Sequence, residues 1–151
     1  MSEIPLRPNV CLIILNKERE IFLAERFGCP GIWQLPQGGI EQGMTPAEAA
    51  IKEAHEELGV PKKNFKILQH LLAQHEYEFS DPIPAHYLGK WRGQVQTFFV
   101  LEYLGSDAEI TLNRYDQELM NWRWCSVAEV RKLAEPRRLV GYEKAFSELG
   151  I

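Results

Sequence analysis

A continuous apolar segment near the start of the chain most constrains its fold. The residues from Asn9 to Leu15 read Asn-Val-Cys-Leu-Ile-Ile-Leu, with apolar side chains at successive rather than alternating positions. A strand with this pattern is buried on both faces, as in sheets that are covered on both sides. A second strand is predicted from Glu20 to Ala24, after a polar turn at residues 16–19.

Three further segments have the composition of strands because they are rich in β-branched and aromatic residues. They run from Phe65 to Phe79, from Gln94 to Leu104 and from Trp122 to Cys125. Residues 27–43 and 80–93 contain prolines and glycines and are predicted to be loops. Loops as long as the first of these are usually functional in compact domains, so it is a candidate part of a site.

Two helix starts carry a capping box, in which a Ser or Thr is followed three residues later by Glu. The boxes are Thr45 to Glu48, before a helix that ends near Leu58, and Ser126 to Glu129, before a helix that ends near Leu133. A closing helix is predicted from Val140 to Leu149. Strands with inserted helices predict an α/β fold, in which a mixed sheet is covered on both faces.

Composition narrows the class of protein. The length of 151 residues and the lack of a linker predict one domain, 1–151, and a net charge of −4 argues against a broad nucleic-acid-binding surface. No apolar run approaches the roughly 20 residues that span a bilayer, so no membrane association is expected. The three cysteines, Cys11, Cys29 and Cys125, lack CxxC spacing, which predicts reduced thiols and a cytoplasmic protein.

The clearest chemical signal is a trio of glutamates on the first predicted helix. Glu53, Glu56 and Glu57 stand at i, i+3 and i+4, so their carboxylates project from one side of the helix. Like charges at this spacing repel, and a bound cation would offset the repulsion. Ligands that are all oxygen favour Mg²⁺ or Mn²⁺ over zinc. The alternative is an ordinary acidic face in contact with water.

The residues around this helix resemble the Nudix box. Gly38 is followed after five residues by Met44, and after seven more by Lys52-Glu53-Ala54-His55-Glu56-Glu57-Leu58-Gly59-Val60. The box reads Gly, five residues, Glu, seven residues, Arg-Glu, apolar, any, Glu-Glu, any, Gly, apolar. The wider frame is similar to the branch of RNA pyrophosphohydrolases and dinucleoside-polyphosphate hydrolases, through Arg7-Pro-Asn-Val10, Ala24-Glu-Arg-Phe-Gly28, Trp33-Gln34, Pro36-Gln-Gly-Gly39, Gly93-Gln-Val-Gln96 and Trp122-Arg-Trp124.

This resemblance implies a Nudix-like α/β/α sandwich and a metal-dependent hydrolase in which water attacks a phosphorus. Glu53, Glu56 and Glu57 are expected to coordinate two or more ions of Mg²⁺ or Mn²⁺, with the backbone carbonyl of Gln37 or Gly38 completing the shell. Glu118 matches a position that offers a further ligand or base; the alternative is an exposed loop acid, with Asp116 and Glu109 as competitors.

The resemblance also implies a set of substrate-binding residues. Arg7 and Arg26 match basic positions that face the phosphates and first nucleotides, although each could be a surface arginine. In the last helix, Tyr142 is the candidate for stacking on a base and Lys144 for contacting a phosphate, with core packing of Tyr142 as the alternative. Tyr77 is a further stacking candidate that could instead be structural.

Two residues depart from the box: Met44 stands where the family has Glu, and Lys52 where it has Arg. We expect Met44 to pack as an apolar residue against Ala49 before the helix. We expect Glu48 to form an ion pair with Lys52 at i, i+4. These replacements bear on the rigidity of the loop more than on the metal ligands.

Removal of pyrophosphate from the 5′-triphosphate end of RNA, in messenger RNA decay, is the leading expectation for function. The alternative is the same chemistry on dinucleoside polyphosphates or nucleoside triphosphates, because the carboxylates would act on the phosphate chain alone. A non-catalytic nucleotide sensor is a more distant alternative, suggested by Met44 and Lys52. The expected partner is therefore triphosphorylated RNA or a dinucleoside polyphosphate, and the sequence identifies no protein partner.

Overall fold

A computed structural model of the protein describes residues 4–79, 87–115 and 119–151. In these ranges the chain forms seven strands: β1 Leu6–Leu15, β2 Ile21–Arg26, β3 Trp33–Gln34, β4 Gln37–Gly39, β5 Phe65–Glu78, β6 Gly93–Tyr103 and β7 Leu119–Cys125. The helices of the same ranges are α1 Pro46–Leu58, α2 Val127–Leu133 and α3 Pro136–Leu149, with short 3₁₀ turns at Lys62–Asn64 and Asp107–Glu109.

The strands form one mixed sheet built around β1. Its order is β3-β2-β1-β6-β5, with β7 paired to β2 and β4 paired to β1. β1 runs parallel to β6 along its whole length, whereas the other pairs are antiparallel. The other edge of β1 is shared, because β4 pairs with Asn9–Cys11, the Leu12 amide donates to the Pro36 carbonyl, and β2 meets the strand at Leu15.

Both faces of the sheet are covered, as the apolar run in β1 predicts. Val10 and Leu12 belong to the core beneath α1, whereas Cys11 and Ile13 belong to the core beneath α2 and α3, and all four side chains are fully buried. Because successive side chains of a strand point to opposite faces, only a continuous apolar run supplies both cores. The prediction of a mixed sheet between helices is confirmed.

Local capping fixes the ends of α1 as predicted. The Thr45 hydroxyl accepts a hydrogen bond from the Glu48 amide at 3.1 Å, and the Glu48 carboxylate accepts one from the Thr45 amide at 2.9 Å. Gly59 closes the helix in the left-handed conformation, with a φ of 66°, and its amide donates to the His55 carbonyl. Within the described ranges, none of the helices is long and apolar enough to cross a membrane.

The predicted start of the closing helix is wrong. α3 begins at Pro136 rather than Val140, because the Glu135 carboxylate accepts hydrogen bonds from the Arg137 and Arg138 amides. Proline at the first position has a φ that already suits a helix, so Glu135-Pro136 is a start signal that the sequence carried. The predicted loop at 27–43 also contains β3 and β4, which are too short for side-chain periodicity to reveal.

We predict that Gly59→Ala destabilises the protein more than Gly28→Ala does. Both glycines have a left-handed φ, of 66° and 75°, which costs an alanine roughly 1–2 kcal/mol. A Cβ at Gly59 would also overlap the Thr111 carbonyl, whereas nothing lies near one at Gly28. Denaturant unfolding should therefore show a loss of about 1–2 kcal/mol for Gly28→Ala and a larger loss for Gly59→Ala. Equal losses would contradict this account.

Candidate active site

Two neighbouring glycines of β4 bring a carboxylate and a guanidinium close to the same backbone. A Cβ at Gly38 would overlap the Glu53 carboxylate, and a Cβ at Gly39 would overlap the Arg7 guanidinium. Because successive residues of a strand face opposite sides, Glu53 and Arg7 approach β4 from opposite faces of the sheet. Any side chain at either glycine would displace one of them, so the close approach depends on glycine here.

The α1 carboxylates differ in their surroundings. Glu57 is buried, with 6% of its surface exposed, and the side chains of Glu53 and Glu56 are 12% and 32% exposed. The Lys52 ammonium lies 3.7 Å from the Glu53 carboxylate and 3.3 Å from that of Glu56. Partial burial lowers the pKa of Lys52, but the hydrogen bond to Glu56 and the neighbouring carboxylates raise it overall, so the ammonium stays charged.

These residues have the donor chemistry of a hard divalent cation. Three carboxylates on consecutive turns, one of them buried, stand beside a strand whose glycines leave its backbone open to approach. In the described ranges, no three His, Cys, Asp or Glu side chains lie close enough together to hold a metal ion as they stand. Glu53, Glu56 and Glu57 would hold such an ion from α1, and Gln37 and Gly38 lie on the strand that faces Glu53.

The departures at Met44 and Lys52 have a structural explanation that is only partly the predicted one. Met44 packs against the apolar cluster that contains Ala49, which agrees with the prediction. The predicted pair between Glu48 and Lys52 is wrong, because the Glu48 carboxylate is held in the capping box by Thr45. The capping bonds also hold the pKa of Glu48 below its usual range. Lys52 instead pairs with Glu53, Glu56 and the loop residue Glu41.

The opposite face of the sheet carries positive charge near the same edge. The Arg7 guanidinium lies over the Tyr87 ring, 5.2 Å from its centroid, as well as against Gly39. On the same face, the Asn9 amide donates to the Gln37 side chain at 2.8 Å and accepts from the Gln96 amide at 3.0 Å. These fixed polar groups restrict the position of β4 relative to β1.

A second cation on this face, Lys144 of α3, contacts His75, a residue that sequence analysis did not single out. Its ammonium donates to His75 Nδ1 at 3.1 Å. Burial and the Lys144 charge lower the pKa of His75, which keeps the ring neutral and able to accept. The His75 ring lies against Gly141, where a Cβ would come within 2.7 Å of the ring, so the glycine makes room for it.

Gln94 and Tyr77 lie beside Arg7 on the neighbouring strands β6 and β5. Gln94 is paired in register with Arg7 on one side and with Tyr77 on the other. Its side chain is buried, yet among the described residues no donor reaches Oε1. A buried acceptor without a donor is costly, which favours a ligand that brings one.

Arg138 is a residue that sequence reasoning missed. Burial raises the pKa of Tyr77, and the positive charges of Arg138 and Arg7 oppose this rise. Burial likewise raises the pKa of the Cys11 thiol, which Arg138 lowers and Glu57 raises. Cys11 therefore lies within electrostatic reach of the acidic helix and of the basic face alike. Arg137 and Arg138 are adjacent on α3, and the sequence alone did not show which of the two faces the sheet.

The structure does not place two other predicted site residues, Arg26 and Glu118, beside the carboxylates of α1 or the cations of the opposite face. Arg26 lies at the exposed end of β2, and within the described chain its side chain makes no hydrogen bond or ion pair. Glu118, and its competitor Asp116, lie outside the described residues.

Tyr142 is buried in the core, which agrees with the alternative of core packing and contradicts the predicted stacking on a base. Its side chain is 1% exposed, and its hydroxyl accepts a hydrogen bond from the Leu35 amide at 3.0 Å. It belongs to the apolar core beneath α3, where burial raises its pKa. Tyr142 lies on the inner face of the amphipathic helix α3. The sequence alone did not show whether that face packs against the core or contacts a ligand.

Comparison with known proteins agrees with this geometry. The model of the NUDIX domain family matches residues 5–144. The chain belongs to the Nudix family. Two relatives, both named RNA pyrophosphohydrolase, come from Gluconobacter oxydans and Sphingopyxis alaskensis. The first is 39% identical over 97% of this chain and 84% of its own length, and the second is 31% identical over 99% and 96%.

Solved structures of more distant proteins share the Nudix fold. The Escherichia coli dihydroneopterin triphosphate pyrophosphohydrolase superposes with a TM-score of 0.72 at 16% identity, over 93% of this chain and 97% of that one. An Ap4A hydrolase of Caenorhabditis elegans superposes with a TM-score of 0.64 at 20% identity, over 95% and 99%. Nudix enzymes generally depend on a divalent metal, which is consistent with the donor set on α1.

We predict that Tyr142→Phe lowers stability without changing substrate affinity. Removing the hydroxyl leaves the buried Leu35 amide without its acceptor, which costs about 1–3 kcal/mol in denaturant unfolding. Tyr77→Phe is the control for the unfolding measurement alone, since no hydrogen bond of the Tyr77 hydroxyl is found within the described chain. Unchanged stability of Tyr142→Phe would contradict this account of the hydroxyl.

Proposed function

We propose that this protein is a hydrolase that removes pyrophosphate from the 5′-triphosphate end of RNA. The observation that carries the proposal is the pair of glycines in β4, which place Glu53 and Arg7 on opposite faces of one backbone. A polyphosphate that spans this edge would have one phosphate near the α1 carboxylates and another near the guanidinium. Carboxylates alone would repel such a ligand, and cations alone would bind it without a means of hydrolysis.

Metal binding and hydrolysis would take place on the α1 face of the sheet, and substrate recognition on the face beneath α3. Glu53, Glu56 and Glu57 would hold two or more divalent ions, Mg²⁺ or Mn²⁺, with the Gln37 or Gly38 carbonyl. When bound, such ions neutralise phosphate charge and lower the pKa of the attacking water. We retain Glu118 as a further ligand or base.

Substrate recognition is proposed for the face beneath α3. Arg7 and Lys144 would bind phosphates outside the carboxylate group, and Arg138, whose charge acts on Tyr77, would add positive charge on the same face. Tyr77, partly buried between His75 and Phe79, would stack on a nucleobase. Arg26, at the exposed end of β2, would contact the following nucleotide.

RNA is favoured as the substrate because the two relatives that cover nearly the whole chain carry that activity in their names. We also propose a cytoplasmic location and a role in messenger RNA decay, which follow from this substrate. A dinucleoside polyphosphate is the second candidate, since an Ap4A hydrolase shares the fold, and the α1 carboxylates address only the phosphate chain.

A substrate panel would separate these candidates. We expect the full chain, with Mg²⁺ or Mn²⁺, to convert a 5′-triphosphorylated oligonucleotide to the 5′-monophosphate with release of pyrophosphate. The value of kcat/KM should exceed that for diadenosine tetraphosphate and for nucleoside triphosphates by about tenfold or more, because a single further bound nucleotide can supply that factor. Faster cleavage of the dinucleotide would reject the RNA proposal while leaving the hydrolase intact.

The role of the α1 carboxylates is tested by Glu57→Gln. We expect turnover to fall by at least about 10- to 100-fold, the loss typical for groups that merely support a metal ligand, and Mn²⁺ binding to weaken. Glu18→Gln, in the exposed turn after β1, is the control and should match the unmodified protein. An unimpaired rate in the folded Glu57→Gln variant would contradict the metal assignment. If the unmodified protein showed no turnover, and Glu57→Gln bound nucleotide as well as the unmodified protein does, the protein would be a sensor.

A further inference from the structure

The Lys52 ammonium stands where a bound cation would compete with it. Three carboxylates surround its Nζ: Glu56 at 3.3 Å, Glu41 at 3.5 Å and Glu53 at 3.7 Å. Two of these are proposed metal ligands, whereas Glu41 belongs to the loop between β4 and α1. We propose that Glu41 is a positioning residue that draws Lys52 away from Glu53 and Glu56 when a divalent ion binds. The inference rests on the metal site proposed above.

The loop is built so that Glu41 can reach the helix. The Met44 amide donates to the Glu41 carbonyl at 3.0 Å, closing a turn in which Gly43 has a φ of 85°. The turn directs Met44 into the apolar cluster with Ala49. The Glu41 side chain remains 66% exposed, with its carboxylate beside Lys52.

Electrostatics requires Lys52 to move if a divalent ion binds. An ion bound by Glu53 and Glu56 would lie a few ångströms from the ammonium, and the two positive charges would repel. A lysine side chain has four flexible methylenes and a point charge, so it can exchange one carboxylate for another at little cost. In the described structure its ion pairs are the three above, so Glu41 is the partner that the metal would leave available.

The departures from the Nudix box fit this role. The box has a glutamate at position 44 and an arginine at position 52, whereas this chain has Met44 and Lys52, with a carboxylate three residues before Met44 at Glu41. A guanidinium forms a fixed bidentate pair, but an ammonium distributes itself among the carboxylates around it. Without Glu41, Lys52 would therefore compete more strongly with the metal for its ligands.

A double-mutant cycle on Mn²⁺ binding tests the inference. Titration calorimetry of the full chain, without substrate, would compare the unmodified protein with Glu41→Gln, Lys52→Met and the double variant. We expect Glu41→Gln to raise the Kd for Mn²⁺ by about two- to five-fold, the factor that a partly exposed ion pair supplies. In the Lys52→Met background, Glu41→Gln should change the Kd by less than that, because no ammonium remains to be displaced.

A second measurement separates positioning from catalysis. At saturating Mn²⁺, Glu41→Gln should have the kcat of the unmodified protein, while the Mn²⁺ concentration for half-maximal rate rises with the Kd. Thermal unfolding without metal should show that all four proteins fold, so that differences in Kd are not due to lost structure.

The results distinguish this inference from the proposed function. An unchanged Kd for Glu41→Gln would overturn the role of Glu41. An equal increase in Kd with Lys52 present and in the Lys52→Met background would overturn it too, because such an increase would reflect only the lost negative charge. If the unmodified protein still bound Mn²⁺ and lost it in Glu57→Gln, the metal site would stand. Failure of the unmodified protein to bind Mn²⁺ would overturn both.

Discussion

The shared edge of β1 is the constraint on which the arrangement of the site depends. β1 is buried on both faces from Asn9 to Leu15, so a segment that pairs with its edge there comes close to both faces at once. β4 occupies part of that edge, and the Pro36 carbonyl next to it accepts the Leu12 amide. The glycines of β4 then let a group from α1 and a group from β1 approach the same backbone. A longer β2 along this edge would leave no room for β4.

The sheet also separates charges that would otherwise neutralise one another. Glu57 and Arg138 both influence the Cys11 thiol, yet one belongs to α1 and the other to α3, on opposite sides of β1. A direct ion pair between them would remove the affinity of each for a ligand of opposite charge. Because β1 lies between them, Glu57 and Arg138 do not neutralise each other directly. Under the proposed function, this separation would let a protein of net charge −4 bind a polyanion locally.

Prediction from sequence succeeded where the determinants are local and failed where they depend on register. The ends of α1 followed from Thr45 and Gly59, because caps are made by residues within a few positions. The wrong pair of Glu48 with Lys52 came from helical spacing alone, which says nothing of a loop carboxylate that competes. His75 and Lys144 are 69 residues apart, and only the register of β5 with β6 and the position of α3 bring them together. No periodicity in the sequence contains that information.

Under the proposed function, the two faces of the sheet would separate chemistry from specificity. The α1 carboxylates would act on a phosphate chain whatever is attached to it. A dihydroneopterin triphosphate pyrophosphohydrolase and an Ap4A hydrolase share the fold of this chain at 16–20% identity. The groups that would contact a base or a second phosphate, such as Tyr77 and Lys144, lie on β5 and α3. Lys144 owes its position to His75, which in turn requires the missing side chain at Gly141. Selection for a new substrate would therefore act on this pair of elements, because a change there alters what is recognised without disturbing the carboxylates.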